Sequence, residues 1–329
     1  MNDNPTEPMG GSNKSHLIIG LLLFIVGLLI ILVAVSLRSQ ADDSTSSSTV
    51  NNQAPTVDSI TLSATSGGSS AASLDMNENS TKTAYVHGAY TDNNGCSEVA
   101  TGGSFTLVLY RSAVSNGSSC TRNDADCLRS STTGYTCNYS SLPANTCAGD
   151  TDVTANYECS VPVQFFADPT DSGSYSAQNW VALITATDSG SLAGTNSATT
   201  EVNTLTALNV GSTISFGALA LGATSSEVAL TVTNTGNNNA LDVQTSGTAM
   251  ACTVGTITLA SEKVKYSSST GQAFGSMTAL TGSAASLRIS LTKSVDGGSA
   301  SNTSTYWRLQ LPSSGLSGSC SATVTFTAA

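Results

Sequence analysis

The chain has little charge, and positive charge is the scarcer kind. Asp, Glu, Lys and Arg make up 10% of its 329 residues, against roughly 25% in an ordinary soluble protein. Eleven basic residues face 22 acidic ones, and the formal net charge is −11. A nucleic-acid partner is therefore not expected, because contact with phosphates needs clustered Lys and Arg. The polar residues are mostly Ser, Thr and Asn. This composition is typical of extracellular β-proteins whose sheets have solvent-exposed faces.

Histidine is nearly absent, and so are the motifs of common enzymes. The chain has two histidines. The one away from the N-terminal apolar segment, His87, lies in a predicted strand, where a structural role is the ordinary expectation. No Gly-x-Ser-x-Gly, phosphate-binding loop or His-Glu-x-x-His motif occurs. No pair of Cys-x-x-Cys sequences indicates zinc. The sequence therefore predicts a protein that is not an enzyme.

One long apolar run is present, and it covers residues 17–37 without a charge. About 20 such residues in a helix cross the hydrocarbon core of a bilayer. The run predicts a transmembrane helix at 17–37, after a cytoplasmic tail at 1–16 and before a Ser/Thr-rich linker at 38–54. The membrane is thus a predicted partner. The alternative is a cleaved signal peptide, although its apolar core would be shorter, about 7–15 residues.

All eight cysteines follow this run. Their even number predicts disulfides, which persist in oxidising compartments. The predicted location is therefore the cell membrane, with a single pass and with the C-terminal domains extracellular. Cys252 and Cys320 are alone in the second predicted domain and should pair with each other. The other six leave many connectivities open, and the preferred set is Cys120–Cys127, Cys137–Cys147 and Cys96–Cys159.

Short alternating segments fill the rest of the chain. Turn residues separate them, which is typical of β-sandwiches. The clearest predicted strands of the first series are 83–90, 104–111, 157–166 and 180–187. No long amphipathic helix interrupts either series. The sequence therefore predicts an all-β fold of two tandem immunoglobulin-like β-sandwiches, at 55–204 and 205–329, after the single N-terminal transmembrane helix.

Three loop segments of the first series resemble a known layout. They are Ala89-Tyr-Thr-Asp-Asn-Asn-Gly-Cys, Phe165-Phe-Ala-Asp-Pro-Thr-Asp-Ser-Gly and Ile184-Thr-Ala-Thr-Asp-Ser-Gly. They are similar to the loops of polycystic-kidney-disease-type and cadherin-like immunoglobulin-fold modules. In the second series, Val232-Thr-Asn-Thr-Gly-Asn and the closing Pro-Ser-Ser-Gly segment resemble C-terminal sandwiches of bacterial surface proteins. The whole arrangement resembles anchored surface proteins of candidate-phylum, Patescibacteria-like bacteria, which implies a location and a fold more than an activity.

Acidic and amide side chains in these loops form the candidate metal site. Calcium takes six to eight oxygen ligands, and the residues that supply them are Asp92, Asn93, Asn94, Asp168, Asp171 and Asp188. In an immunoglobulin-like sandwich, Asp92 and Asp188 should approach each other at one end, with the Asp168–Asp171 loop as a third wall. The alternative is that these are ordinary turn residues. Calcium is the one cofactor that the sequence predicts.

The predicted function is a membrane-anchored structural or adhesive protein of the cell surface, without catalysis. Loops on a rigid sandwich usually carry recognition, and the cysteine-rich segment Ser115–Asp150 is the expected contact region. Expected partners are protein or glycan surfaces, and exposed sheet edges permit self-association. Two alternatives are a carbohydrate- or ligand-binding module, which should expose aromatic side chains, and a pilin-like filament subunit.

Overall fold

The computed structural model describes residues 13–36, 46–120, 124–129, 136–138, 146–149, 151–258, 263–296 and 300–329. The chain forms two compact units, Met1–Asn51 and Asn52–Ala329. The structure is mostly β-sheet, as predicted, and the N-terminal helix is present.

The first unit contains helix α1, Asn13–Ser36. Its first turn has no acidic residue and its last turn has no basic residue, so no charged side chain there complements the helix dipole. The apolar side chains described along it are exposed, and Phe24 and Leu23 are the most exposed at 69% and 67%.

Within the described part of the chain, no helix has both the length and the apolar character that a membrane crossing requires. The predicted transmembrane helix at 17–37, the membrane as a partner and the cell-membrane location with extracellular C-terminal domains are therefore wrong.

The second unit begins with two five-stranded sheets. Its first strands are β1 Thr56–Val57, β2 Thr61–Ser63, β3 Ser73–Leu74, β4 Lys82–Thr91, β5 Ser104–Arg111, β6 Cys127–Arg129, β7 Thr136–Asn138, β8 Thr154–Val163, β9 Trp180–Thr187 and β10 Ala193–Val202. A short helix, α2, spans Ser97–Ala100. One sheet has the order β1-β4-β8-β7, with β2 also on β4, and the other has the order β3-β10-β9-β5-β6. All pairs in them are antiparallel except β3–β10.

The alternation of apolar residues explains the first core. Buried and half-buried positions alternate along the whole of β8 and β9, because successive side chains of a strand point to opposite faces. Trp180 is fully buried, and Phe105 stacks on Tyr157 at 5.0 Å and meets Tyr90 edge-on at 5.2 Å. Strands β5 and β9 have the predicted bounds. Strand β8 ends before Phe165, which packs edge-on against Phe166 in a separate small cluster.

The remaining strands surround a second core. They are β11 Leu208–Val210, β12 Val228–Asn234, β13 Leu241–Gly247, β14 Met250–Val254, β15 Thr256–Ile257, β16 Val264–Ser267, β17 Thr278–Ala279, β18 Ala285–Leu291, β19 Asn302–Leu309, β20 Ser317–Ser321 and β21 Val324–Ala328. They form the sheets β11-β12-β19-β16-β17, β18-β13-β21 and β15-β14-β20. Trp307 is fully buried at the centre, and its indole N–H donates to Thr305 Oγ1 at 2.9 Å.

The two main cores are separate clusters of buried residues, one formed by residues 57–202 and one by residues 230–309. No strand pairing within the named sheets joins strands of the two halves. The predicted boundary at 204/205 stays a prediction. The division into exactly two immunoglobulin-like domains stays a prediction, because residues from Asn52 onward form one compact unit.

Four disulfides join the eight cysteines, and two of the predicted pairs are wrong. The structure contains the predicted Cys120–Cys127 and Cys252–Cys320 bonds. It pairs Cys96 with Cys147 and Cys137 with Cys159, instead of Cys96 with Cys159 and Cys137 with Cys147. The reason is strand register.

Strand β7 places Cys137 directly opposite Cys159 of β8, with Cα atoms 3.9 Å apart. Cys96 lies near the 146–149 segment instead, because its N–H donates to the carbonyl of Asp152 at 2.7 Å. Its Cα atom is 5.8 Å from that of Cys147. Cysteine spacing alone contains no information on this register.

Removal of the Cys252–Cys320 bond should lower the free energy of unfolding more than removal of the Cys120–Cys127 bond. The bond closes a loop of 68 positions, whereas Cys120–Cys127 closes one of 7. In the chain-entropy account, the free energy of unfolding should fall by about 4 kcal/mol in the C252S/C320S variant and by about 2 kcal/mol in C120S/C127S. Urea unfolding of both variants measures this, and equal losses would contradict the entropic origin.

Candidate functional site

The structure places the predicted metal ligands at two opposite ends of the first core. Asp92, Asn93 and Asn94 follow the last residue of β4, and Asp188 follows the last residue of β9. Asp168 and Asp171 lie in the segment between β8 and β9. Since β4 and β8 are antiparallel, with Thr91 opposite Thr154 and Lys82 opposite Val163, the β8–β9 segment starts at the end away from Asp92. Asp92 and Asp188 come together, and Asp168 and Asp171 do not join them.

Asp92 is fully buried. Its Oδ1 accepts a hydrogen bond from the N–H of Asn94 at 2.9 Å, and its own N–H donates to the carbonyl of Val153 at 2.8 Å. Its other oxygen, Oδ2, has no hydrogen-bond partner among the described residues. Burial is the largest cause that raises the pKa of Asp92. The carboxylates of Asp188 and Glu98 raise it further, against the hydrogen bond from Asn94.

Asp188 is also buried, with 3% of its surface exposed. Its Oδ1 accepts from the N–H of Leu192 at 2.8 Å, and its Oδ2 accepts from Nδ2 of Asn52 at 2.9 Å. The next residue, Ser189, donates its hydroxyl to Glu98 in α2. These bonds bring three carboxylates to the same end of the core.

The residues before β1 connect the two acidic loops. Asn52 holds Asp188, and the N–H of Gln53 donates to Oδ1 of Asn94 at 2.8 Å. Oε1 of Gln53 accepts from Nδ2 of Asn93 at 3.0 Å. We name this group of Asn52, Gln53, Asp92, Asn94 and Asp188 the acidic end. Within the described ranges, no set of three or more His, Cys, Asp and Glu side chains could by itself hold a metal ion, so neutral oxygens would have to complete any site.

Asp168 is a different kind of buried acid, because both of its oxygens contact cations. Its Oδ2 is 2.9 Å from Nε of Arg111, and its Oδ1 is 2.8 Å from Nζ of Lys293. The guanidinium of Arg111 also lies over the ring of Tyr175, 3.8 Å from its centroid. The carbonyl of Asp168 accepts from the indole N–H of Trp180 at 2.8 Å. This residue is therefore part of a structural ion cluster.

Asp171 is an exposed loop residue whose carboxylate accepts hydrogen bonds from the chain near the end of the first half. It accepts from the N–H of Thr204 at 2.9 Å and from the hydroxyl of Thr204 at 2.7 Å. Burial acts to raise the pKa of Asp171, but the hydrogen bonds from Thr204 and Ser172 outweigh it, so the pKa is lowered. The arrangement is that of an ordinary turn acid.

Several residues at these two places have no signal in the local sequence. Arg111 and Lys293 hold Asp168, while Asn52 and Gln53 hold the acidic end. Their partners lie 57, 136 and 41 positions away along the chain for Arg111, Asn52 and Gln53, and no local pattern marks such pairs. His87 lies in β4, and its Nε2 is 2.9 Å from the carbonyl oxygen of Gly68.

Comparisons with known proteins do not assign a family. No family model and no curated protein matches this chain. The resemblance to polycystic-kidney-disease-type and cadherin-like modules, and to Patescibacteria-like surface proteins, therefore stays a prediction.

Several solved structures are similar at a low level. One is a chaperone–tip adhesion subunit pre-assembly complex from archaic chaperone-usher Csu pili of Acinetobacter baumannii. It has 10% identity and a TM-score of 0.37, and the match covers 82% of this chain and 99% of that one. Another is a chaperone–tip adhesin complex of CFA/I fimbriae biogenesis, with 8% identity, a TM-score of 0.29 and coverage of 78% and 94%.

A third is the secreted serine protease VesC of Vibrio cholerae, with 9% identity, a TM-score of 0.18 and coverage of 78% and 49%. At these scores, none of the three similarities decides the function of this chain. The function has to be argued from its own contacts.

Among the acidic residues, substitution of Asp168 should cause the largest loss in the free energy of unfolding. The change Asp168→Asn removes the charge that faces Arg111 and Lys293 in a buried place, and one-sided removal of a buried pair costs about 3–5 kcal/mol. The matched change Asp171→Asn at the exposed turn should cost about 1 kcal/mol or less. Urea unfolding of the two full-length variants measures the difference, and equal effects would show that the Asp168 cluster has no special weight.

The pH dependence of stability should contain a contribution of unusual sign from Asp92. Its pKa is raised above 3.8 in the folded chain, so the folded form binds this proton more tightly than the unfolded form does. In the absence of divalent cations, the contribution of Asp92 to the free energy of unfolding should fall as the pH rises from about 3.8 to the raised pKa of Asp92 in the folded chain.

The change Asp92→Asn should remove this slope, because the side chain no longer ionises. Asp171→Asn should act in the opposite sense. Because folding lowers its pKa, Asp171 stabilises the fold at pH values above its pKa in the unfolded chain. This stabilisation is lost as the pH falls through the pKa of Asp171 in the folded chain. Unfolding curves in a chelator at several pH values, for the wild type and both variants, test the two signs.

Proposed function

We propose that the chain is a non-catalytic structural or adhesive protein in which the part from Asn52 onward acts as one rigid body with two cores. The observation that supports this most directly is the ion cluster of Asp168, Arg111 and Lys293. Asp168 and Arg111 belong to the first half and Lys293 to the second, and the side chains of Lys293 and Asp168 are each 6% exposed. A buried charge pair between two halves fixes their register.

Main-chain hydrogen bonds extend this first junction. The N–H of Ala125 donates to the carbonyl of Val295 at 2.8 Å, and Asp124 forms a β-bridge with Asp296. Nζ of Lys293 donates to the carbonyl of Phe166 at 2.9 Å. The ammonium group therefore joins a side chain and a carbonyl of the first half at once.

A second junction lies on other parts of the chain. The N–H of Asn79 donates to the carbonyl of Thr235 at 3.0 Å, and the hydroxyl of Thr235 donates to Glu78 at 2.7 Å. Nδ2 of Asn237 donates to the carbonyl of Asn203 at 3.0 Å. Two halves that are held at two separated places resist rotation about the single chain connection, which suits a protein that transmits force or keeps a spacing.

The tryptophans favour this proposal over a carbohydrate-binding module. Such a module places aromatic rings on an exposed face, whereas Trp180 and Trp307 are both 0% exposed and donate their N–H groups to internal acceptors. Contact would instead come from loops on the rigid body, and the described parts of the Ser115–Asp150 segment carry three of the four disulfides. The expected partners are protein surfaces or further copies of the chain. Disulfides also indicate work in an oxidising environment.

The proposal predicts a measurable activity without chemistry. Beads coated with the full-length protein should be retained under flow on at least one of a panel of bare, protein-coated and glycan-coated surfaces, or the protein should form ordered assemblies in electron micrographs. Lys293→Met should weaken either property by loosening the junction. Lys265→Met, a matched change in β16 of the second half, should leave it intact.

The comparison with albumin-coated beads sets the baseline. Retention no better than albumin on every surface, together with the absence of ordered assemblies, would overturn the proposal. Equal behaviour of wild type and Lys293→Met in small-angle scattering and in retention would separately reject the role of rigidity.

A further inference from the structure

We infer that the acidic end binds a calcium ion between the loop that begins at Asp92 and the loop that begins at Asp188. This inference concerns a separate part of the molecule and does not rest on the proposed structural or adhesive function. Oδ2 of Asp92 is buried and has no hydrogen-bond partner in the described part of the chain. A buried carboxylate oxygen without a partner is costly.

The same half of the molecule offers an internal comparison. Asp168, 4% exposed, is as buried as Asp92, and the fold supplies both of its oxygens with cations from Arg111 and Lys293. Asp92 has no ion pair with Lys or Arg among the described residues, and its charged neighbours are the carboxylates of Asp188 and Glu98. The protein therefore compensates one buried aspartate with its own cations and leaves the other to be compensated from outside.

Hydrogen bonds hold the two loops next to each other, so that they can contribute to a single site. Asn52 binds Oδ2 of Asp188, and the next residue, Gln53, binds Asn94, whose N–H binds Oδ1 of Asp92. Ser189, next to Asp188, binds Glu98. None of these hydrogen bonds uses Oδ2 of Asp92, so the two loops are held together without it.

The chemistry of the donors selects the ion. Two carboxylates, Asp92 and Asp188, are accompanied by the amide oxygens of Asn94 and Gln53, which are acceptor atoms of the kind that calcium binds. Hard oxygen donors in an irregular, loop-borne set suit calcium, which tolerates six to eight ligands, better than magnesium, which requires near-octahedral geometry. Glu98 adds negative charge nearby. Asp168 and Asp171 have no part in this site.

Binding would join two loops of different sheets. Asp92 follows β4 of the first sheet, and Asp188 follows β9 of the second. An ion between them would add a cross-link at the end of the core where Asn52 and Gln53 now provide the described connection. The expected effect is therefore on the stability of the first half.

The test uses the full-length protein after removal of metals, with calcium chloride as the probe. Calorimetric titration should give a stoichiometry near one. When the free calcium concentration is 100 times its dissociation constant, the unfolding equilibrium constant should fall by about 100-fold, and the melting temperature should rise by several degrees. Magnesium chloride at the same concentration should give a clearly smaller rise, and sodium chloride at matched ionic strength should give none.

Variants then locate the site. Asp92→Asn and Asp188→Asn should each abolish the calcium-dependent rise, since each removes one carboxylate and keeps an oxygen for the neighbouring N–H. Asp171→Asn, the matched control from the opposite end of the core, should retain it. If Asp92→Asn does not fold, Asp188→Asn and the wild-type titration still decide the matter.

Several results would overturn the inference. They are the absence of heat and of a melting shift in wild type up to 10 mM calcium, about ten times the weakest affinity usual for extracellular modules, and an unchanged shift in both aspartate variants. A wild type that responds to pH but not to calcium would show that a proton compensates Asp92, and this result would also reject the ion.

Discussion

A buried carboxylate that lies between two cations joins the two cores of this protein. Asp168 engages Arg111 of its own half and Lys293 of the other half. Such a cluster tolerates little displacement, because each charge loses its compensation when a partner moves away. The strand edge at Asp124, the turn at Phe166 and the indole of Trp180 are all placed by contacts to this cluster or beside it.

At the opposite end of the first core, the buried aspartate has different charged neighbours. Asp92 is equally buried, but its neighbours are acids and neutral donors. One end is therefore self-compensated and serves cohesion, while the other keeps an oxygen without a partner in the described chain. This asymmetry separates a structural acid from a candidate ligand.

The disulfides add local constraints to this frame. Cys137–Cys159 and Cys252–Cys320 join residues directly opposite each other on paired strands. Cys96–Cys147 ties the start of α2 to the short segment 146–149. Together they hold loops and edges that few apolar contacts would hold, which is expected in a chain rich in Gly and Ser that loses much backbone entropy on folding.

Local patterns in the sequence predict the all-β character, the bounds of β5 and β9 and the presence of disulfides, because period-two patterns and turn residues act over a few positions. The packing of the sheets is needed to show which cysteines pair and which acids share an end, and the structure has no described helix that is long and apolar enough to cross a membrane. Contacts such as Asn52–Asp188 and Lys293–Phe166 join residues 136 and 127 positions apart. Their existence depends on how the sheets pack and on strand register, which no local pattern encodes.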